Sequence, residues 1–495
     1  VTSDPTTRHH AVAAALTHPR VTYADPRTVL IHDDCLTAIR ALPENSIDAV
    51  ITDPPYGLSD LNPTQVTAAI TAWATGDRDH VPDSKGFMGT AWDGFVPPPA
   101  VWDAAYRALK PGGYMLVFAG SRTVDLMGLS IRLAGFDIRD TLTWITAAGF
   151  PKATDLGKMI DKADNATREH PDTPATAESA RWTGWATALK PTQEPIIVAR
   201  KPFKGSVTAN VRAHGTGAFN IDATRVPFRN AADEEESKGK NRHADFDSKI
   251  GNNNVYGDYT MMTARNYDPP GRWPSNTLLT HAPTCTDEHC DPGCPITVLD
   301  SQSGIRPGGT YPAARGQAVA TSFASGQRTE GGPRSMGDIG GASRFFPTFT
   351  HTENDTVIPD ATDRLTADPG FRYTAKAPTK ERPTYQTSDG VTVQHETVKP
   401  LAVMRWLVDL LVGGRPDAVV LEPFAGSGTT VEAAINAGVH IIAIERNDAY
   451  HPLIHARITR ATGAPPTQDK PTPIEEYPDP IDRTVTVTDE QVTLW

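Results

Sequence analysis

Between about Thr28 and Ile145, apolar runs alternate with amphipathic ones: TVLIH, CLTAIRAL, SIDAVIT, VWDAAYRAL, YMLVFAG, VDLMGLSIRLAG and FDIRDTLTWIT. Strand and helix repetition of this kind, with nearly all-apolar strands, predicts a parallel sheet covered by helices on both faces. From roughly Pro151 to Val393 the pattern gives way to Gly, Pro, Asn and charged residues. It returns at Lys399, where KPLAVMRWLVDLLVGG places Met404, Leu407, Val408 and Leu411 at i, i+3, i+4 and i+7. That spacing predicts an amphipathic helix stopped by Gly413 and Gly414. DAVVLEPFAGSGTTVEAAINAGVHIIAIE then reads as strand, glycine turn, helix and strand. The regular stretches predict two halves of one α/β sheet, residues 1–150 and 396–463. Residues 151–395 would be an insertion, and 464–495 an acidic, Pro-rich tail without a core of its own.

At 495 residues and 53.3 kDa the chain exceeds one ordinary core and can bury an enzyme-sized interior. The opening VTSDPTTRHHAVAAALTHPR lacks a basic segment followed by a long apolar one, and no later run has the length of a membrane helix. A soluble, cytoplasmic protein with no membrane partner is therefore expected. Four cysteines are too few for a secreted disulfide framework. A formal charge of −12 argues against a protein coated in positive potential but leaves room for a local basic groove.

Two turns carry candidate chemistry. In LEPFAGSGTT the apolar strand Val419–Leu421 runs into Gly426-Ser427-Gly428, and a helix is predicted from Thr429. Glycines there let backbone amides approach an anionic or polar ligand at a helix N-terminus. The next strand ends in Glu445, where an acid can accept hydrogen bonds from ribose hydroxyls. No Gly-Lys-Ser/Thr follows, and Val431 stands where a third dinucleotide glycine would be, so the turn is neither a Walker loop nor that fingerprint. A tight turn with no ligand is the plainer alternative. In VITDPPYGL a strand ends in Asp53-Pro54-Pro55-Tyr56. This delivers a carboxylate and the Pro54 carbonyl to the C-terminal edge of a parallel sheet, where open α/β sheets bind ligands. The prolines stiffen the spacing to Tyr56. Two acceptors suit the two N–H bonds of an exocyclic amino group, and the tyrosine ring suits stacking on the attached base. An ordinary Pro-rich turn closing a strand is the alternative.

DPPY, EPFAGSGTT, KPLAVMRWLVDLL and the lead-in HDDCLTAIRALPENSIDAVITDPPYGL together resemble the amino-group-specific DNA methyltransferases that use S-adenosylmethionine (SAM). The catalytic motif precedes the SAM motif, the β-class order. The middle is similar to phage and actinobacterial members in GFPKATDLGKMID, TQEPIIVARKP, GTGAFNIDATRV, GRWPSNTLL and GGASRFF. The resemblance implies a Rossmann-like methyltransferase sheet with circularly permuted motif order and a target-recognition insertion. It implies that Phe424, Gly426 and Gly428 cradle the methionine part of SAM, that Glu445 holds the ribose, and that Asp34 and Cys35 lie near the adenine. Glu422, Ser427, Thr429 and Asn447 belong to the same implied cofactor site, as do Lys399 and Pro400, which match the motif ahead of the SAM helix. Glu396 departs from the proline that many relatives carry there. Asp53, Pro54, Pro55 and Tyr56 would be catalytic, acting on a base flipped out of the duplex. Adenine N6 is implied over cytosine N4 by Asp-Pro-Pro-Tyr. A catalytically idle DNA-binding protein on the same fold is the reading from a different class, and a cognate restriction endonuclease is an implied partner.

Within the insertion, Arg181, Lys190, Arg200, Lys201, Lys204, Arg212, Arg225 and Arg229 outnumber Glu194 and Asp222. Trp182, Trp185, Phe203 and Phe219 are interleaved with them. Phosphate contacts alternating with aromatic wedges fit a double-stranded DNA surface formed by Trp182, Trp185, Arg200, Lys201, Lys204, Arg212 and Arg225. A solvated face over an aromatic mini-core is the alternative.

HAPTCTDEHCDPGCP offers His281, Cys285, Cys290 and Cys294 as a tetrahedral set for structural Zn²⁺, although the spacing is that of no standard finger. Ordinary reduced thiols are the other reading. The terminal Gln491-Val-Thr-Leu-Trp495 resembles the short peptides that dock on bacterial sliding clamps, or is a terminus that packs on the domain.

Overall fold

The computed structural model describes residues 10–463, apart from 60–61, 84–92, 147–154, 190–191, most of 229–269, 282–284, 286–289, 293, 305, 312–333, 341, 350–381, 387–391 and 396. The tail with its clamp-like peptide and residue 396 lie outside the described residues.

One ten-stranded sheet organises the fold. Its strands are β1 Val21–Ala24, β2 Thr28–Ile31, β3 Ile47–Thr52, β4 Leu109–Phe118, β5 Asp137–Ile145, β6 Gln193–Arg200, β7 Thr277–Thr280, β8 Thr348–Phe349, β9 Val419–Glu422 and β10 His440–Ile444. They lie in the order β1-β2-β10-β9-β3-β4-β6-β5-β7-β8. Neighbours run parallel except at β1, which is antiparallel to β2, and at β6, which is antiparallel to both β4 and β5. This is a Rossmann-like α/β architecture in which both expected halves share one sheet. The helices are α1 His10–Leu16, α2 Cys35–Ala41, α3 Pro63–Ala74, α4 Pro99–Ala108, α5 Val124–Leu133, α6 Leu156–Ala163, α7 Ala177–Arg181, α8 Val207–His214, α9 Pro295–Ser303, α10 Leu401–Val412, α11 Thr429–Ala437 and α12 His451–Thr462.

Strands buried on both sides separate two apolar layers. Under α1 to α5 lie Val50, Trp73, Trp102, Met115, Met127 and Ile131. Under α10 to α12 lie Ile51, Leu116, Met404, Leu407, Val408, Leu411, Ile441 and Ile454. Each such aliphatic side chain taken out of water contributes about 1.5–3 kcal/mol before chain entropy is charged against it. The predicted stripe on α10 is the buried one, and the helix stops at Gly413 with Gly414 at φ +74°. Asp48 is the charged residue of β3. Its buried carboxylate sits at the N-terminal edge of the strand, where Lys110 at 2.9 Å, Arg415 at 2.7 Å and the Val419 N–H at 2.9 Å compensate it.

The boundary expected at residue 151 is not where the sheet ends. β6 lies between β4 and β5, while β7 and β8 extend the far edge, so the insertion contributes strands to the main sheet. Its pairing partners lie far off in sequence, and only that pairing defines it as a strand. The remaining expected elements are found: the SIDAVIT strand is β3, and the glycine-turn helix begins at Thr429.

Candidate active site

β9 leads to β10 on one side and β3 leads to β4 on the other, so the chain reverses its winding between β9 and β3. Outside the carboxyl ends of these strands an open α/β sheet leaves a crevice. Both motifs open into it, because Leu421 of β9 pairs with Val50 of β3. Glu422, at the end of β9, ties them together. Thr52 Oγ1 donates to one of its oxygens at 2.5 Å, Thr430 Oγ1 to the other at 2.5 Å, and the Phe424 N–H to the first at 3.1 Å. Burial pushes this carboxyl up to about 8 despite those donors. Glu422 is thus a strut beneath both loops rather than a group open to ligand.

In the glycine turn, Gly426 has φ +52° and Gly428 φ +81°, a region that disfavours side chains. A Cβ on Gly426 would lie 2.9 Å from His395 Nε2. Phe424 packs against the apolar layer, and the Ser427 and Thr429 hydroxyls lie 3.2 Å apart. Across the turn, Glu445 accepts from the N–H groups of Gly426 and Asn447, each at 2.7 Å. Burial pushes its carboxyl up to about 7, against the pull of those backbone donors. The Glu445 N–H donates to the Ile31 carbonyl, bringing the start of α2 alongside. There Asp34 caps the helix, accepting from the Leu36 and Thr37 N–H groups at 3.0 and 3.3 Å, and burial raises the Cys35 thiol. Asn447 caps the turn that follows Glu445. The expected cofactor residues of both sheet halves therefore converge on one rim.

Lys399 does not join them. Its ammonium lies 2.5 Å from Asp53 Oδ2 and 3.4 Å from Glu194 Oε2, and above the rings of Phe118 at 4.9 Å and Tyr56 at 5.3 Å. Burial works against this charge, but Asp53 and Glu194 outweigh it and raise the lysine above its ordinary value. Pro400 is the N-cap of α10 and sets the lysine at the head of that helix. Tyr56 is fixed at three points: its hydroxyl donates to Glu194 at 2.9 Å, its N–H to Asp93 at 2.8 Å, and its carbonyl accepts from Thr123 at 2.6 Å. Burial, with Asp53 and Glu194 nearby, raises the phenol well above its usual value. Asp53 Oδ1 is buried with no hydrogen-bond partner among the described residues. One oxygen of the motif acid is thus held by a cation and the other is open to a donor.

Residues 47–456 match the family model for N6/N4 methyltransferases, described as DNA methylase. The chain belongs to this DNA methylase family. Among curated relatives, the type II methyltransferase M.HindIII of Haemophilus influenzae is 24% identical over 218 residues, 39% of this chain and 64% of its own length. The type II methyltransferase M2.DpnII of Streptococcus pneumoniae is 23% identical over 244 residues, 41% of this chain and 87% of its own. The chain thus spans less than two thirds of the length of M.HindIII. Among solved structures, the PvuII cytosine-N4-specific DNA methyltransferase aligns over 89% of this chain and 88% of its own at 12% identity, TM-score 0.37. The M1.HpyAVI–SAM complex aligns over 87% and 98% at 12% identity, TM-score 0.31.

The fold separates most of the expected DNA-contact residues from this crevice. β6 runs against its neighbours, so Glu194 lies at the edge that holds Asp53 and Arg200 at the opposite one, roughly 20 Å away at a strand's rise per residue. Lys201 is buried, its ammonium donating to Asn45 Oδ1 at 2.8 Å and to the Tyr106 and Leu109 carbonyls at 2.7 Å each. Its expected role in DNA contact is corrected to that of an internal clamp. Arg200 pairs with Asp137 at 3.5 Å and covers the Phe203 ring, and Phe219 packs on Tyr114 in the core. Arg225 is held by Asp222 at 2.7 Å and the Gly271 carbonyl at 3.0 Å, its side chain only 6% exposed. Lys204 and Arg212 are exposed, but they follow Arg200 at the far edge, where Asn210 anchors α8 to the Pro111 carbonyl at 3.0 Å. Local composition marks a basic stretch. It does not say which end of an antiparallel strand each charge will reach.

Trp182 and Trp185 are placed differently. The segment between β5 and β6 leaves and returns at the Asp53 edge, where the Thr146 N–H donates to the Thr192 carbonyl. Its two indoles pack edge to face with centroids 5.2 Å apart, and Trp185 is 61% exposed. His281, Cys285, Cys290 and Cys294 are brought together as expected of a metal-binding set. Glu194 was missed as a site residue because the sequence shows it only as an acid in a basic stretch. TQEPIIVARKP, in which it sits, was the one available signal.

Proposed function

We propose that the methylase transfers the methyl group of SAM to the exocyclic N6 of adenine at specific sites in double-stranded DNA, after the base has flipped into the crevice. The observation that carries the reading is Asp53 Oδ1, buried just past the end of β3 with no hydrogen-bond partner among the described residues, beside the strand that leads into the glycine turn. SAM, when bound, supplies an electrophilic methyl group. The positive-φ Gly426 and Gly428 and the buried Glu445 fit it, and Phe424, Ser427, Thr429, Asp34, Cys35 and Asn447 line the same rim.

An exocyclic amino group is a weak nucleophile because its lone pair is delocalised into the ring. Asp53 and the Pro54 carbonyl would accept its two N–H bonds and favour a pyramidal nitrogen, with the lone pair aimed away from them. The rigid Pro54-Pro55 pair holds that geometry, and positioning supplies much of the rate. Lys399 lies over the face of Tyr56 and on Asp53, so base entry requires it to shift. Glu194, already 3.4 Å away, would receive the charge as it leaves. A flipped base would then stack on Tyr56. Trp182 and Trp185 belong to the segment that leaves and returns at that edge, where DNA would approach. Preference for adenine over cytosine N4 rests on the Asp-Pro-Pro-Tyr resemblance. Among the described residues no helix is long and apolar enough to cross a membrane.

Asp53→Ala tests the reading. Methyl transfer is lost while SAM binding stays within a few-fold of the parent; an active variant overturns it.

A further inference from the structure

We propose that His281, Cys285, Cys290 and Cys294 bind one zinc ion, which pins the catalytic-edge flank of the sheet. The four ligand atoms lie within 4.8 Å of one another. The Cys285 and Cys290 sulfurs are 3.6 Å apart, Cys294 Sγ lies 3.6 Å from His281 Nδ1, and Cys290 Sγ lies 3.2 Å from the same nitrogen. A tetrahedral zinc with bonds of about 2.3 Å to sulfur needs edges of about 3.7 Å, so small adjustments bring the set onto one ion. A sulfur separation of 3.6 Å is also far from a disulfide bond of about 2.05 Å. Two donors already face the sulfurs: the Asp291 N–H at 3.2 Å from Cys285 and the Thr297 hydroxyl at 2.8 Å from Cys290. Such donors stabilise metal-bound thiolates.

The ligands come from two elements that the ion would join. His281 directly follows β7, which is parallel to β5, so it lies at the same sheet edge as Asp53, roughly 19 Å away across four strand spacings. Cys294 is the N-cap of α9. From α9, Asp300 reaches the Ser343 N–H and hydroxyl, both at 2.7 Å, ahead of β8. One ion would therefore fasten β7, α9 and the approach to β8. The apolar cluster here is small, Leu279, Cys294 and Ile296 with a few partly buried neighbours, so a metal would supply order that packing alone does not. The ion is structural: four protein ligands leave no open position for chemistry.

The test uses the full chain purified without chelator, with metal content measured by inductively coupled plasma mass spectrometry. About one zinc per chain is expected, falling to below about one tenth in a Cys285→Ser/Cys290→Ser variant. Cobalt(II) exchanged into the parent protein should give the visible bands of a tetrahedral, thiolate-rich site. This readout is independent of whether the variant folds and of whether the protein methylates DNA. Parent protein that is metal-free and rejects cobalt, with these thiols reduced or joined as a Cys285–Cys290 disulfide, overturns the proposal.

Discussion

The Lys399 ammonium sits 2.5 Å from Asp53, 346 residues earlier in the chain, and so one sheet half holds the motif acid of the other. If Lys399 holds Asp53 in place until the base arrives and does not act on the cofactor, Lys399→Ala should leave the acid misplaced and lower turnover by about 10- to 100-fold, the scale of losing a positioning contact. Calorimetry should find its SAM affinity within about threefold of the parent. Collapse of SAM binding with little further loss of turnover would return Lys399 to the cofactor site.

Glu445 offers a pH test of ribose recognition. Burial pushes its carboxyl up to about 7, and only the ionised form would accept from both ribose hydroxyls. SAM affinity should therefore rise with pH from roughly 6 to 8, by up to about tenfold per unit at the steepest. Glu445→Gln should bind more weakly and with a flat profile. An equally sloped profile in the variant would assign the titration to another group.

Glu422 has the opposite reading, in stability. Unfolded, its carboxyl titrates near ~4.3; folded, burial moves it to about 8. Between those values the folded state keeps a proton that the unfolded state has lost, so unfolding free energy falls as pH rises and levels off above about 8. Denaturant titrations across this window should show a shallower decline for Glu422→Gln than for the parent. Parallel slopes would mean that Glu422 is ionised in the fold.

The two ends of β6 predict different phenotypes. Lys201→Ala removes the donor from three acceptors, and should cost about 2–4 kcal/mol of stability. Lys204→Ala should change stability by less than about 0.5 kcal/mol and leave the salt dependence of DNA binding unaltered. Trp185→Ala, in the segment that leaves and returns at the Asp53 edge, should weaken DNA binding. A shallower salt slope for Lys204→Ala would show that DNA reaches the far edge.

Much of this fold was legible because its signals are local. Val50–Tyr56 and Val419–Thr429 each announce a buried strand, its stop and the residues placed at that stop. What escaped depends on pairing between distant segments. EPIIVAR looks like a strand only when β4 and β5 flank it, and Glu194 becomes a site residue only through that insertion. Lys201 was misread for the same reason. A lysine in a basic stretch has the composition of a phosphate contact, and nothing nearby announces that Asn45, Tyr106 and Leu109 will surround it. Lys399, expected at the cofactor, is turned to Asp53 by the start of α10, a geometry that a short motif does not encode.

The most direct measurement is to incubate the protein with unmethylated DNA and isotope-labelled SAM, digest the DNA to nucleosides and identify the labelled species by mass spectrometry beside Asp53→Ala. The account predicts labelled N6-methyladenine from the parent and none from the variant. Labelled N4-methylcytosine would keep the chemistry and overturn the choice of base, whereas unlabelled DNA from protein that still binds SAM would contradict the central claim.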